Sequence, residues 1–289
     1  MNSLLRAEWI KINKNIKLTG SLVWVFPIAT AAIYGLGLLL FGSLLGEEIE
    51  PALWTNDFNA IWGFINGFPG NVFGRLLPLA FMATVFAGEY QWGTWKNIVP
   101  RRSRWALIVS KQLVLVAIIV LAFFLTSVVT VFFQAIRHGL ADIDYQPAFS
   151  AQAISDFLQL YFREAGFAIT ALFMMTAFAA IAAILTRSVL GSLLIGLGLS
   201  VLELVSGLLL AFLGHFINWP ELANAYRFMP SYSIENIRSW LMAGSSFPAP
   251  LPGFTAESTL LFSLIVLVIW LFGLTGLAIW LFHRQDITG

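Results

Sequence analysis

The chain has no cysteine among its 289 residues. That excludes disulfide staples, thiolate metal sites and cysteine nucleophiles, and it leaves the compartment open. Charge is also scarce. Asp, Glu, Lys and Arg make up 11% of the sequence, against roughly 25% in an ordinary soluble domain. The three histidines, His138, His215 and His283, each sit at the end of an apolar run. An imidazole there is better read as an interfacial residue than as a ligand or a base. No HExxH, GxSxG or cysteine-ligand pair occurs, so hydrolytic chemistry finds no foothold. There is no GxxxxGK[ST] either, and the chain therefore cannot itself cradle nucleotide phosphates in a P-loop. A net charge of +1 selects no acidic or basic partner. The opening stretch MNSLLRAEWIKINKNIK lacks a small-residue cleavage site behind a short apolar core and is expected to belong to the mature protein.

What the chain has instead is apolar length: 59% hydrophobic residues and a mean hydropathy of +0.84. Five runs, Ser21–Leu45, Leu113–Phe133, Phe167–Leu185, Val189–Leu213 and Leu260–Phe282, match the roughly 20 residues that a helix needs to cross a bilayer. A sixth, Asn71–Tyr90, is weaker because it holds Arg75 near one end and Pro78 inside. An arginine there can snorkel, and neighbouring helices can cover a proline's freed carbonyl. The expected fold is thus an all-α polytopic membrane protein with six transmembrane helices. Placing the N-terminus in the cytoplasm puts 11 lysines and arginines on that side and 5 on the other, so both termini are expected inside.

Around the spans, the pattern predicts interfacial helices. Leu5, Trp9, Ile12 and Ile16 recur at helical spacing in residues 1–18, beside Arg6, Lys11, Lys14 and Lys17. That is the signature of an amphipathic helix on the inner leaflet. Ile154, Phe157, Leu158, Tyr161 and Phe162 follow helical offsets after a capping Ser150, which predicts a helix on the outer leaflet leading into the fourth span. Residues 216–257 carry two short patterns, one starting at Pro220, the other presenting Ile234, Ile237 and Leu241 and ending near Gly244. Both are too short to cross and are expected between spans five and six, outside the cytoplasm. Gly191, Gly196 and Gly198, and the pair Gly42/Gly46, would permit close helix approach, compatible with a dimer.

One ionisable residue lies well inside a span, Glu203 in SVLELVSG. A charge at mid-bilayer costs roughly 2.5–3.5 kcal/mol on insertion scales. Two readings stand side by side: contact with cargo, or a structural bond to Ser200, Ser206 or another helix.

Residues 88–104, GEYQWGTWKNIVPRRSR, hold four of the sixteen basic residues between two apolar runs. Nucleic acid is excluded as the partner, since positive charge on a short cytoplasmic loop is what topology alone requires. Headgroup anchoring accounts for Arg101, Arg102 and Arg104 and for Trp92, Trp95 and Trp105. It does not account for the ordered start Glu89, Gly93, Thr94. A span running into Glu89-Tyr90-Gln91-Trp92-Gly93-Thr94, then Lys96-Asn97, Ser103-Arg104 and Lys111 opening the next span, resembles the ABC-2 type permeases. These are the membrane subunits of ABC exporters, and the resemblance is closest to the bacitracin-export and lantibiotic-immunity group. The layout agrees along the whole chain: an elbow helix, six spans, and helices between the fifth and sixth with a Met229-Pro230-Ser231 turn. Arg101-Arg102 stand where the family commonly has a Pro-Val or Gly-Ile turn.

The resemblance implies that residues 88–104 form a cytoplasmic coupling segment docking on a separate ATP-binding subunit, through Glu89, Gly93, Thr94, Trp95, Lys96 and Arg104. It also implies a second permease copy or paralogue, no cofactor in this chain, and ATP with Mg held by the partner. The chain itself is expected to catalyse nothing. Thr94 has the chemistry to cap a short helix, and Gly93 the freedom to turn the chain sharply. The expected function is the permease of an ATP-driven exporter in a prokaryotic cytoplasmic membrane, surrounded by lipid, with Glu203 in the path of a lipophilic or amphipathic cargo such as a peptide antibiotic, drug or lipid. The alternative is an ATPase-independent, proton-coupled transporter working through Glu203.

Overall fold

The computed structural model describes residues 2–41, 53–66 and 71–286, and their regular structure is helical apart from one bridge between Leu53 and Gln146. In chain order the helices are α1 (Asn2–Lys14), α2 (Ile16–Leu22), α3 (Val25–Phe41), α4 (Trp54–Asn66), α5 (Asn71–Gln91), α6 (Trp95–Ile98), α7 (Arg104–Leu140), α8 (Ala151–Thr186), α9 (Val189–Phe216), α10 (Pro230–Ala243) and α11 (Leu260–Arg284). Two 3-10 segments, Val99–Arg101 and Pro220–Phe228, interrupt them. The chain divides into two compact units, Met1–Val85 with Val109–Thr176, and Phe86–Ile108 with Ala177–Gly289.

Among the described residues, α7, α8, α9 and α11 are long and apolar enough to cross a membrane, and the pair α2–α3 makes a fifth if it is one span. α5 covers the weak sixth run as a single helix, but with Arg75 and Glu89 it falls short of their apolarity. The first apolar run is not straight: α2 and α3 meet at a 54° bend. Pro27 explains the position of the break. It offers no N–H to the Val23 carbonyl and its ring crowds that oxygen. The Val23 and Trp24 amides both fall back on the Thr19 carbonyl, at 3.0 and 2.8 Å. The end of this run, with Gly42 and Gly46, lies outside the described residues.

In the first unit, α1 buries Leu4, Glu8 and Ile12 and leaves Trp9 and Ile10 exposed; Ile16, at the start of α2, is exposed as well. Within the stripe of Leu5, Trp9, Ile12 and Ile16 expected on the inner leaflet, Ile12 turns inward beside Glu8, whose ion pair draws that edge into the unit. Glu8 Oε2 accepts from Lys111 Nζ of α7 at 2.8 Å, with both residues buried.

α4 has no counterpart in the expected layout. Its Trp54, Phe58 and Trp62 pack against Phe123 and Phe124 of α7 and Phe157 and Tyr161 of α8, with ring centroids 4.8–6.1 Å apart. Arg75 does not snorkel. It is buried, and its guanidinium donates to the Ile65 carbonyl at the end of α4, a polar finish for a helix terminus.

The outer-leaflet helix expected over Ile154–Phe162 is not separate. α8 runs unbroken for 36 residues from a Ser150 hydroxyl that accepts the Ala153 amide at 3.1 Å. Only Gly166 interrupts its helix formers, and one glycine costs about 1 kcal/mol, too little to break a packed helix. Phe157 and Tyr161 join the aromatic cluster, while Ile154, Leu158 and Phe162 remain exposed.

The second unit is organised by α9. Ser192, Gly196, Ser200, Glu203, Gly207, Ala211 and Gly214 form one buried line along it, a small-residue seam that lets backbones approach. Gly196 lies on this line, whereas a Cβ on Gly198 would meet nothing. Ser192 donates to the Ala179 carbonyl of α8 at 2.9 Å. At Gly207 a Cβ would stand 2.9 Å from Leu251 and 3.0 Å from Tyr226, so the seam is filled by the chain's own residues 220–251. The Pro220 pattern folds as 3-10 helix, and the next as α10, closed by Gly244 at φ +67°. Ile234 and Ile237 are buried, but Leu241 is exposed; Asn236 takes the inward place instead. Its amide nitrogen donates to Ser263 Oγ of α11 at 2.8 Å, and its oxygen accepts from the Phe247 amide at 2.8 Å.

Candidate functional site

Residues 88–104 fold within the second unit as a turn, the short α6 and a 3-10 segment before α7. The turn is a Schellman finish to α5. The Thr94 amide reaches back to the Glu89 carbonyl at 3.0 Å and the Gly93 amide to Tyr90 at 3.2 Å, satisfying carbonyls that the helix end leaves open. Gly93 takes φ +64° at the left-handed position, and a Cβ there would meet nothing. Backbone conformation alone, not space, asks for glycine.

The site residues named from the sequence then take separate roles. Thr94 stands before α6, but its side chain caps no amide there. Its hydroxyl turns back to the Glu89 carboxylate and carbonyl, the latter at 3.2 Å. Glu89 is 2% exposed, so this carboxylate braces the turn from inside. Trp95 is buried as well, its ring 4.7 Å from Phe282 of α11 and 5.9 Å from Tyr90. Trp92 and Trp105 are exposed, a division among three tryptophans that composition alone does not reveal. Lys96 and Asn97 face outward on α6.

Arg104 is directed inward. Its Nη1 donates to the carbonyls of Phe282 (2.5 Å), His283 (3.0 Å) and Gln285 (2.9 Å), and its guanidinium carbon lies 5.6 Å from the Phe282 ring centre. These are open carbonyls at the negative end of α11, where a fixed cation is stabilising. Gln285, just past that helix, accepts from the Tyr90 hydroxyl at 2.7 Å and donates to the Ile184 carbonyl of α8 at 2.5 Å.

A cleft of about 150 Å³ opens between these parts, with Glu89 and Asp286 on its wall beside Lys96 and Arg187. Arg187 follows α8 with φ +52°, a conformation rare for a residue with a Cβ. Its amide bonds the Ala183 carbonyl at 2.9 Å, which makes it the left-handed cap that glycine usually provides.

Six of the seven named residues, Glu89, Gly93, Thr94, Trp95, Lys96 and Arg104, are thus brought into one place. Glu203 lies elsewhere, about 21 Å along α9 from its start at 1.5 Å per residue, and is 8% exposed. The Ser206 and Ser231 hydroxyls donate to its carbonyl at 2.7 and 3.3 Å. Sequence reasoning missed Gln285, Phe282, Ile184 and Arg187 as parts of the site. The one local hint was the three-residue Thr186-Arg187-Ser188 gap between apolar runs; nothing near Gln285 marks it. It also missed Glu8, whose partner Lys111 it had noticed.

A family model described as ABC-2 family transporter protein matches residues 4–218, from α1 to just beyond α9. α10, α11 and the segment after them lie outside that match. No curated protein and no solved structure matches the chain.

Proposed function

Since the chain belongs to the ABC-2 family of transporter proteins, multi-pass membrane components of ABC transporters, we propose that it is the permease of an ATP-driven exporter of the bacitracin-export and lantibiotic-immunity kind. In this reading two copies, or a copy and a paralogue, join two separate ATP-binding subunits that hold ATP and Mg. α5 serves as the sixth span, and both termini lie in the cytoplasm of a prokaryotic cell. Trp9, Ile10 and Ile16, left exposed on and beside α1 next to Lys14 and Lys17, suit contact with an anionic inner leaflet.

The observation that carries the proposal is the build of residues 88–104. A Schellman turn, a buried Trp95 and an inward Arg104 hold α6 rigidly, while Trp92, Lys96 and Asn97 remain outside. A lipid anchor needs no such bracing; a surface that transmits force from a soluble partner does. The apolar faces of α9 and α11, whose most apolar windows are 28% and 22% buried against 78% in α8, leave room for lipid and for a second copy. The same surfaces favour a lipophilic or amphipathic cargo; strict movement of small cations in vesicles, indifferent to amphipathic compounds, would remove that part. The bonds from Ser206 and Ser231 fall on the Glu203 main-chain carbonyl; the proton-coupled alternative concerns its carboxyl and predicts a pH-driven flux, without ATP, that Glu203→Gln abolishes.

Affinity purification of the tagged chain from its own membranes in mild detergent tests the core of the reading. A P-loop subunit is expected in near-equal amount, and it is lost when Lys96 and Asn97 are reversed or enlarged. A chain that stays alone and monodisperse in several mild detergents refutes it.

A further inference from the structure

The contacts of Gln285 suggest more than a docking site. The end of α11 and the residue after it are fastened to the coupling region in three chemically distinct ways: Arg104 on the open carbonyls, Trp95 on Phe282, and the Gln285 amide. Gln285 is the most economical of these. One amide accepts a hydrogen bond from the Tyr90 hydroxyl of α5 through its oxygen and donates one through its nitrogen to the Ile184 carbonyl in the last turn of α8, at 2.7 and 2.5 Å. It therefore joins the ends of three helices, its own included. α11 then runs 25 residues, about 37 Å, to its other end, where Ser263 Oγ receives the buried Asn236 amide of α10. Trp240 Nε1 of α10 also donates to the Ser258 carbonyl just ahead of α11, at 2.9 Å. The chain between coupling region and α10 is thus a continuous helix, hydrogen-bonded at both ends.

We propose that Gln285 is a positioning residue for coupling: it clamps α11 to the coupling region so that displacement of α6 is delivered along α11 to α10. The proposal rests on the exporter reading above and names a residue outside the matched region 4–218. Its physical content is a contiguous path with identifiable joints, and breaking a joint separates what happens at the two ends.

The absence of cysteine makes single-cysteine reporters clean. One is placed at Arg102, exposed just after the 3-10 segment that follows α6, and another at Met242, which is 66% exposed on α10. Each is spin-labelled in the complex with the co-purified ATP-binding subunit, and spectra are compared before and after trapping with ATP and vanadate. Both reporters should change in the parent chain. With Gln285→Ala, the change at Arg102 is expected to persist and the change at Met242 to fall at least twofold, with Arg104 and Trp95 still holding the end of α11. Gln285→Glu keeps the acceptor for Tyr90 and loses only the donor to Ile184, and is expected to retain a larger response at Met242 than Gln285→Ala. Tyr90→Phe removes one oxygen, leaves the ring packing, and gives a reduced signal at Met242 even if the Gln285 variants prove unstable. Adding it to Gln285→Ala should cause no further loss, since both break the same link. A Met242 response of parental size in Gln285→Ala and Tyr90→Phe overturns the proposal while leaving the exporter reading intact. Failure of the parent chain to capture any ATP-binding subunit overturns the reading and this inference together.

Discussion

The buried pair Glu8–Lys111 gives a sharp energetic test. Its atoms are 2.8 Å apart, and the side chains are 7% and 1% exposed. At an effective dielectric of about 20, the gross attraction at that distance is roughly 6 kcal/mol. Dehydrating each ion costs several kcal/mol, so the pair as a whole contributes little net stability. Removing one partner is another matter, because the survivor keeps its burial and loses its compensation. Lys111→Met or Glu8→Leu alone should cost about 3–5 kcal/mol, roughly two to four orders of magnitude in the unfolding equilibrium. Glu8→Leu with Lys111→Met should recover most of that, since two apolar chains of similar volume replace two charges. Reversible unfolding by SDS in mixed micelles, followed by tryptophan fluorescence, measures all three variants. A double variant as unstable as the sum of the singles, or singles within about 1 kcal/mol of the parent, would refute the argument.

Other expectations concern the site and its supports. Gly93→Val places a β-branched residue at φ +64°, costing about 1–2 kcal/mol, and should lower capture of the ATP-binding subunit while the helical circular dichroism stays unchanged. Arg187→Gly removes strain at φ +52° and should raise the unfolding midpoint; a simultaneous loss of subunit capture would show that the arginine side chain is part of the docking surface. Gly207→Val pushes methyl groups into Leu251 and Tyr226 and should cost about 1–3 kcal/mol, read by the same SDS titration. Burial and the hydrogen bond to Asp57 hold the Tyr145 phenol well above its usual pKa. A raised folded-state value means that its stabilisation is fully present below about pH 10 and declines as pH rises above that. The difference between the parent and Tyr145→Phe should follow that course in alkaline unfolding titrations.

Apolar run length was enough to place α5, α9 and α11 within three residues of their ends, whereas α7 begins nine residues before its run and ends seven after it, and Gly93 with Gly244 marked two real helix ends. The reason is local: caps and left-handed turns depend on the residue at the spot. α4 escaped because Trp54, Phe58 and Trp62 acquire their meaning from Phe123 and Tyr161, far along the chain. The inward turn of Ile12 on α1 was hidden for a similar cause, since apolar spacing cannot see that Glu8 finds Lys111. In the site, the residues that make the turn were legible, but the direction of Arg104 was not. Its carbonyl partners belong to residues 282–285, and any open helix end would serve an arginine equally well.

That long-range seat has a consequence for engineering. A chimera that transplants residues 88–104 into a related permease, hoping to change which motor it accepts, would move only half of a fitted joint. Trp95 would land on a foreign last helix in place of Phe282, and Arg104 would meet whatever helix end happened to be there. Exchanging the two segments as a matched set, with Tyr90 and Gln285 included, is the smallest graft that carries its own foundation.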